Sequence, residues 1–118
     1  MAVTHTTDAH LVLEIASHRS VILKYHTDDC GAPCDELLHI YEDLSDQKKY
    51  ADIVFLRIDA DENPVAKKFI LQKKQPIITL YHKGLLLTSR NVGTKAEIIE
   101  LLEVILKKEL KKQPKKKP

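Results

Sequence analysis

The chain of 118 residues lacks the features of secreted, disulfide-stapled and membrane-spanning proteins. Two cysteines are too few to staple a small secreted scaffold, and no apolar run approaches the roughly 20 residues of a membrane-spanning helix. The first ten residues, MAVTHTTDAH, contain no basic segment followed by an apolar one, so we expect no signal peptide. Hydrophobic residues make up 43% of the chain, enough for the core of one domain. These observations predict a soluble, cytoplasmic, mostly reduced protein with no membrane association.

Acidic and apolar residues are both missing from the last eight residues, KKQPKKKP, five of which are lysines. Without those five lysines, 14 of the 19 basic residues remain against 17 acidic ones, a net charge of −3 instead of +2. We therefore predict a folded domain over residues 1–110 and a disordered basic tail over residues 111–118. No aromatic residue interleaves with the lysines to stack on bases, so we expect a solubilising tail and no nucleic-acid partner. Weak attraction to a polyanion is the alternative.

Apolar periodicity and turn signals divide the rest of the chain into strands that alternate with helices. The predicted strands are AVTH, SVILKYH, DIVFLRID, PIITLYHKG and LLLTSRN, and the predicted helices are TTDAHLVLEIASH, PCDELLHIYEDLSDQKKY, ENPVAKKFIL and TKAEIIELLEVILKKEL. Such alternation predicts parallel strand pairing, and a hairpin through Gly84 adds antiparallel strands. Thr94 followed by Glu97 is a capping box for the last helix. The sequence thus predicts an α/β sandwich with a mixed sheet of four to five strands.

Three residues separate the two cysteines in the stretch CGAPC, at the predicted start of a helix. A helix N-terminus lowers the pKa of a thiol, which favours Cys30 as a nucleophile. Residues four apart lie on one helix face, with a Cα separation near the upper end of the usual range for disulfides, about 4.4–6.8 Å. Because Ala32 precedes Pro33, we expect Ala32 to be non-helical, in a small loop that Gly31 eases. A disulfide between Cys30 and Cys34 is therefore feasible.

These motifs, in this order, resemble the thioredoxin family over roughly Ala2 to Leu110. CGAPC stands where the family has C-G-P-C, and LRIDADENP looks like its third strand and the following turn. QPIITLYHKG looks like its strand that opens with a cis-proline, and VGTKAEIIELLEVIL like the Gly turn before its last helix. The resemblance implies a thioredoxin-like three-layer α/β/α sandwich and a thiol–disulfide oxidoreductase. Such an enzyme needs no cofactor, acts as a monomer, and exchanges electrons with protein disulfide substrates and a reductase.

The resemblance also implies roles for individual residues. Cys30 would be the exposed attacking thiol and Cys34 the resolving thiol buried behind it. Pro76 would be the cis-proline packed against the pair. The backbone of Gln75 would hold an extended substrate chain, and Gly93 would line the same groove.

Two positions depart from the family pattern. Asp29 stands where the family has tryptophan, and together with Asp28 it would raise the pKa of the Cys30 thiol unless both carboxylates are solvated. Lys24 falls where the family has a buried aspartate beneath the resolving cysteine. Our hypothesis gives Lys24 a catalytic role, in which it stabilises a thiolate. The alternatives are that Lys24 reaches solvent at the end of the sheet or pairs with Asp59.

Two other functions fit the same residues. His26, His39 and His82 would form a copper or zinc site with the cysteine pair if they lay near it, since thiolates and imidazoles suit these metals. A binding module without turnover would use the groove beside Gln75 and Pro76. Because lone histidines are usually surface residues, we predict the oxidoreductase, with no metal ligand assigned.

Overall fold

The structure, a computed structural model, describes residues 3–71 and 76–112. Its strands are β1 (Val3–Thr6), β2 (Ser20–His26), β3 (Val54–Asp59), β4 (Ile77–His82) and β5 (Leu85–Asn91), and its helices are α1 (Asp8–Ser17), α2 (Ala32–Ser45), α3 (Pro64–Ile70) and α4 (Lys95–Lys112). The strands form one sheet in the order β1-β3-β2-β4-β5. β3 pairs in parallel with β1 and β2, whereas β4 pairs antiparallel with β2 and β5. The predicted mixed sheet is confirmed.

The helices cover both faces of the sheet and give three layers. One core lies between the sheet and helices α2 and α4; it includes Ile22, Phe55, Ile78, Leu37, Tyr41, Leu101 and Ile105. The other core lies on the opposite face, where α1 and α3 contact each other; it includes Val21, Leu23, Leu56, Ile58, Ala66 and Ile70, with Leu11 packed against it. Successive strand residues point to opposite faces, which explains why neighbours in β2 belong to different cores.

Strand β2 is the centre of the molecule, and all seven of its residues are buried. A strand covered on both faces must be apolar nearly throughout, as its sequence SVILKYH predicted. The hydroxyl of the fully buried Tyr41 on α2 donates to the backbone oxygens of Ile22 at 2.9 Å and Leu56 at 2.7 Å. This shared hydrogen bond fixes α2 against β2 and β3.

Local sequence signals account for the turn between β4 and β5 and for the start of helix α4. Lys83 and Gly84 connect β4 to β5 with φ values of 55° and 81°, the pair of positive φ angles found in a type I′ turn. The backbone nitrogen of Glu97 donates to Thr94 Oγ1 at 3.2 Å, and the Glu97 carboxylate accepts from the backbone nitrogen of Thr94 at 3.2 Å, which confirms the capping box. Helix α4 continues to Lys112, two residues into the predicted tail, and residues 113–118 lie outside the described part.

None of the helices in residues 3–71 and 76–112 is sufficiently long and apolar to cross a bilayer.

Asp8, in the first turn of α1, caps a different helix. Its carboxylate accepts hydrogen bonds from the backbone nitrogens of Val65 at 2.7 Å and Ala66 at 3.0 Å, in the first turn of α3. The side chain of Asn63, at the N-cap position of α3, does not cap its own helix; its oxygen instead accepts from the backbone nitrogen of Asp8 at 2.8 Å. Asp8 therefore supplies the cap that α3 lacks and joins α1 to α3.

We expect Asp8→Ala to lower the free energy of unfolding by about 1–2 kcal/mol, the usual cost of losing a helix cap. Urea unfolding of the variant and the parent protein would measure the difference. Asp52→Ala is the matched control, because Asp52 is exposed and its loss is expected to change stability by less than about 0.5 kcal/mol. Equal stabilities for the two variants would contradict a capping role.

Candidate active site

The cysteines lie at the carboxyl end of β2, where the chain turns back into α2. Cys30 ends a short 3₁₀ turn, Asp28–Cys30, and Gly31 then adopts a φ of 69°, which glycine reaches without strain. The carbonyl oxygen of Gly31 accepts from the backbone nitrogens of Cys34 and Asp35, both at 3.1 Å. The expectation that Ala32 is non-helical was wrong. The chain reverses direction at Gly31, and α2 begins directly after it at Ala32. The residue added between the cysteines therefore lies in the first turn of α2.

A disulfide joins Cys30 to Cys34, with their Cα atoms 5.7 Å apart. This separation is close to the commonest value for disulfides, about 5.5–6 Å, and not near the upper end as we expected from a regular helix. Cys34 is fully buried, whereas Cys30 is half-buried. A partner thiol arriving from solvent therefore meets Cys30. This asymmetry agrees with the order of reaction predicted for the pair, whose roles stay predictions.

Pro76 and Gly93 lie at the same edge of the sheet as the cysteine pair. β4 begins directly after Pro76 and runs antiparallel to β2, so that its start lies beside Tyr25, near the end of β2. The carbonyl oxygen of Pro76 accepts from the backbone nitrogen of Val92 at 2.9 Å, which brings the exposed Gly93 to the same edge. Gln75 lies outside the described residues, and so does its peptide bond to Pro76. The substrate-binding roles of all three stay predictions.

Lys24 is fully buried, so the alternative that its side chain reaches solvent was wrong. Its Nζ atom has no hydrogen-bond partner among the described residues. The parallel register places it beside Arg57 of β3, and on its other side it faces the apolar Ile78 of β4. Burial, the largest cause, and the positive charge of Arg57 together lower the pKa of Lys24 to about 8, and the negative charge of Asp35 partly opposes both.

The packing of α2 shows where Lys24 lies relative to the disulfide. Tyr41 bonds the carbonyl of Ile22, and Cys34 lies two turns earlier on the same helix face, about 10 Å along the axis. Lys24 lies two residues beyond Ile22 on the same sheet face, about 6.6 Å along the strand in the same direction. Lys24 is therefore beneath the first two turns of α2, between the level of Tyr41 and that of Cys34.

Sequence reasoning missed Arg57, although it is the cross-strand neighbour of Lys24. Its side chain is half-buried, and its Nε atom is buried without a hydrogen-bond partner among the described residues. The strands SVILKYH and DIVFLRID were both predicted. A parallel alignment of the two would have placed Lys24 beside Arg57.

Asp28 and Asp29 are both exposed in front of Cys30. The Asp28 side chain is 88% exposed, and its Oδ1 atom is 3.8 Å from Nε2 of His26. The backbone nitrogen of Asp28 donates to Oδ2 of Asp61 at 2.7 Å, which fixes the turn ahead of the cysteine. Both carboxylates face solvent, where water screens their charge, and this exposure favours the interpretation that they are solvated.

The three histidines suggested as metal ligands do not come together. His26 ends β2 near the cysteines, and His39 is exposed on α2. His82 does not lie near the pair: it is the cross-strand neighbour of Ser20 at the opposite end of β2, where Ser20 Oγ and His82 Nδ1 are 3.2 Å apart. The six residue-to-residue steps from Ser20 to His26 span about 20 Å. In the part of the chain that the structure describes, no three His, Cys, Asp or Glu side chains are grouped to hold a metal ion.

Comparison with known families agrees with the cysteine pair and the sheet order. The thioredoxin family model matches residues 2–106. The chain belongs to the thioredoxin family. Its cysteine pair stands at the start of α2 with one residue more than the family's C-G-P-C motif, and its sheet is the thioredoxin fold.

The sequence identity between this chain and the individual thioredoxins that it matches is low. Chloroplastic thioredoxin F-type of Pisum sativum is 36% identical over 52 residues, which cover 44% of this chain and 27% of that protein. The structure of Plasmodium falciparum thioredoxin matches with a TM-score of 0.75 and 24% identity, covering 85% of this chain and 96% of that one. Thioredoxin F from spinach chloroplast matches with a TM-score of 0.77 and 21% identity, covering 87% and 92%. At these identities, the two structures show the fold alone.

Proposed function

We propose that the chain is a thiol–disulfide oxidoreductase that exchanges dithiol and disulfide with protein substrates through Cys30 and Cys34. The observation that carries the proposal is the disulfide between a half-buried and a fully buried cysteine at the start of α2. Disulfide exchange needs one sulfur that a partner reaches and a second sulfur close enough to resolve the mixed disulfide. This pair meets both requirements.

The proposed reaction begins with the Cys30 thiolate, which the N-terminal end of α2 favours over the thiol. The thiolate attacks a substrate disulfide, forms a mixed disulfide and releases one substrate thiolate. Cys34 then loses its proton and attacks the Cys30 sulfur, which releases the second substrate thiolate and forms the Cys30–Cys34 disulfide. Two electrons pass from the protein to the substrate, and every sulfur–sulfur bond that breaks is replaced by another. The reverse sequence oxidises a substrate dithiol.

Protein substrates are part of the proposal because the family suggests protein thiol partners. The sheet edge that carries Pro76 and Gly93 beside the cysteine pair would hold an extended segment of such a partner. A separate reductase or a small thiol would return electrons to the pair, and the chain would act as a monomer without an organic cofactor. The cytoplasmic location stays a prediction.

The proposal is tested by equilibrating the protein with mixtures of reduced and oxidised glutathione. After acid quenching and alkylation of free thiols, intact mass measures the fraction that carries the intramolecular disulfide. We expect conversion between a form with two free thiols and a form with none. If no intramolecular disulfide forms at any glutathione ratio, the proposed mechanism is wrong.

Turnover distinguishes the enzyme from the binding module. We expect catalytic amounts of the protein to accelerate reduction of an insulin-type disulfide substrate by dithiothreitol. A protein that forms its own disulfide reversibly but leaves this reaction at its uncatalysed rate would be the module.

A further inference from the structure

Two cations, Lys24 and Arg57, are cross-strand neighbours on the sheet face that α2 and α4 cover. Lys24 is 0% exposed and its Nζ atom has no hydrogen-bond partner among the described residues; the Nε atom of Arg57 is likewise buried without one. We call these two residues the cation pair. Burial of a charge without an anionic partner is costly, and this applies in full to Lys24, whereas Arg57 is half-buried. Lys24 therefore points to an anion that the described residues of the disulfide form do not provide.

The groups around Lys24 show where that anion would arise. On the neighbouring strands they are Arg57 of β3 and Ile78 of β4. On α2, Asp35 acts on the charge of Lys24, and Cys34 precedes Asp35 at the level that the Tyr41–Ile22 hydrogen bond sets. One strand further, Arg90 of β5 pairs with Glu97 and Glu100 of α4. Two residues further along β2, His26 is the cross-strand neighbour of Asp59. The carboxylate of Asp59 accepts a hydrogen bond from the backbone nitrogen of Asp61. Asp35 is exposed, so water screens it. Cys34 is buried, and it becomes ionisable when the disulfide is reduced.

We propose that the cation pair stabilises the thiolate of Cys34 in the reduced protein, so that the Cys30–Cys34 disulfide is an oxidant of protein dithiols. This inference rests on the proposed function and adds the direction of electron transfer, from the substrate dithiol to the protein. Any interaction made with the reduced form alone shifts the equilibrium away from the disulfide. A buried aspartate at the position of Lys24, as the family has, would have the opposite sign of charge and would oppose the thiolate. Lys24 and Arg57 are positioning residues here, since they act through Cys34.

The reaction follows from which sulfur is accessible and which leaves. A substrate thiolate attacks the half-buried Cys30 sulfur, the Cys30–Cys34 bond breaks, and Cys34 leaves as a thiolate. A thiolate of lower pKa leaves faster, so the cation pair accelerates this step. The second substrate thiolate then attacks the substrate sulfur of the mixed disulfide and releases Cys30. The substrate dithiol is oxidised to a disulfide, the protein gains two electrons, and the substrate protons pass to solvent or to Cys30.

The test compares Lys24→Met with the parent protein, since methionine is unbranched and uncharged. We expect its equilibrium with glutathione to move toward the disulfide by about tenfold or more, because one pKa unit of thiolate stabilisation is a factor of ten. We also expect glutathione to reduce its disulfide more slowly. Arg57→Gln is expected to act in the same direction with a smaller effect. Lys48→Met is the control, since it removes one exposed lysine beyond the far end of α2.

A titration of Cys34 alone separates this inference from the proposed function. In a Cys30→Ser background, the ultraviolet absorbance of the thiolate reports the pKa of Cys34, which Lys24→Met is expected to raise by about one unit or more. If the parent protein forms no disulfide, the proposed function fails, and the Cys34 titration still measures the coupling to Lys24. If the disulfide forms but Lys24→Met leaves the glutathione equilibrium, the reduction rate and the Cys34 pKa unchanged, the cation pair has no redox role.

Discussion

Cys30→Ser is expected to abolish disulfide turnover, with a loss on the order of a thousandfold or more. Cys30 is the sulfur that solvent reaches, and the fully buried Cys34 cannot replace it as the attacking thiol. Serine keeps the size of the side chain nearly unchanged, so the loss would report chemistry and not packing. The measurement is the rate of insulin-type disulfide reduction by dithiothreitol, with the rate without protein subtracted.

Cys34→Ser is the informative counterpart, because it removes the resolving thiol and leaves the attacking one. We expect it to react once and to accumulate a covalent adduct between Cys30 and a disulfide-containing peptide, visible by intact mass. Cys30→Ser treated in the same way is expected to give no adduct. Parent-like turnover by Cys34→Ser would show that a thiol of the substrate or of the reductant resolves the intermediate, and would contradict the assigned roles.

Most of the fold was predictable because the signals that specify it are local. The apolar run of β2, the capping box of Thr94 and Glu97 and the turn glycine Gly84 each act within a few residues of the element they define. The elements are also mutually consistent: the central strand β2 is buried on both faces, and the helices cover both faces of the sheet. Local preferences that support one global arrangement are what a foldable sequence provides.

The site was less predictable because it depends on contacts between distant segments. The rule for a residue before proline was outweighed at Ala32, because Gly31 supplied the turn. The distance of His82 from the cysteine pair could not be predicted, because it is set by the antiparallel register of β2 and β4, which the sequence alone does not give. The pairing of Lys24 with Arg57 arises in the same way from the parallel register of β2 and β3. The cap that Asp8 provides for α3 likewise joins residues far apart in the chain.

Lys24→Met is expected to stabilise the disulfide form of the protein at pH 7, by about 3 kcal/mol. Burial, together with the charge of Arg57, holds the pKa of Lys24 at about 8, below its ordinary value of 10.5, and each unit of pKa difference corresponds to about 1.36 kcal/mol. At pH 7 the lysine is charged in both the folded and unfolded states, so the folded state bears the full cost. Methionine removes that cost and fills nearly the same volume. Urea unfolding of the two oxidised proteins measures the gain.

The sign of the pH dependence distinguishes a charge effect from better packing. Between pH 8 and 10.5, unfolded Lys24 binds more protons than folded Lys24, so the free energy of unfolding of the parent protein rises with pH over this window. The advantage of Lys24→Met is therefore expected to be largest below pH 8 and to shrink toward pH 10.5. Lys48→Met, at an exposed site, is expected to show no such trend. An advantage that stays constant with pH would mean that the pKa of Lys24 is the same in the folded and unfolded states, and that methionine acts through packing alone.

The same variant connects stability to the redox reaction through a thermodynamic cycle. The difference between the gains from Lys24→Met in the disulfide and dithiol forms must equal the change in redox free energy. If the cation pair holds a thiolate at Cys34, methionine removes a favourable interaction from the dithiol form and relieves an unpaired charge in the disulfide form. We therefore expect a smaller gain for the reduced protein, by about 1.4 kcal/mol or more for a tenfold redox shift. Equal gains in both forms would leave Lys24 as a buried charge that lowers stability without affecting the cysteines.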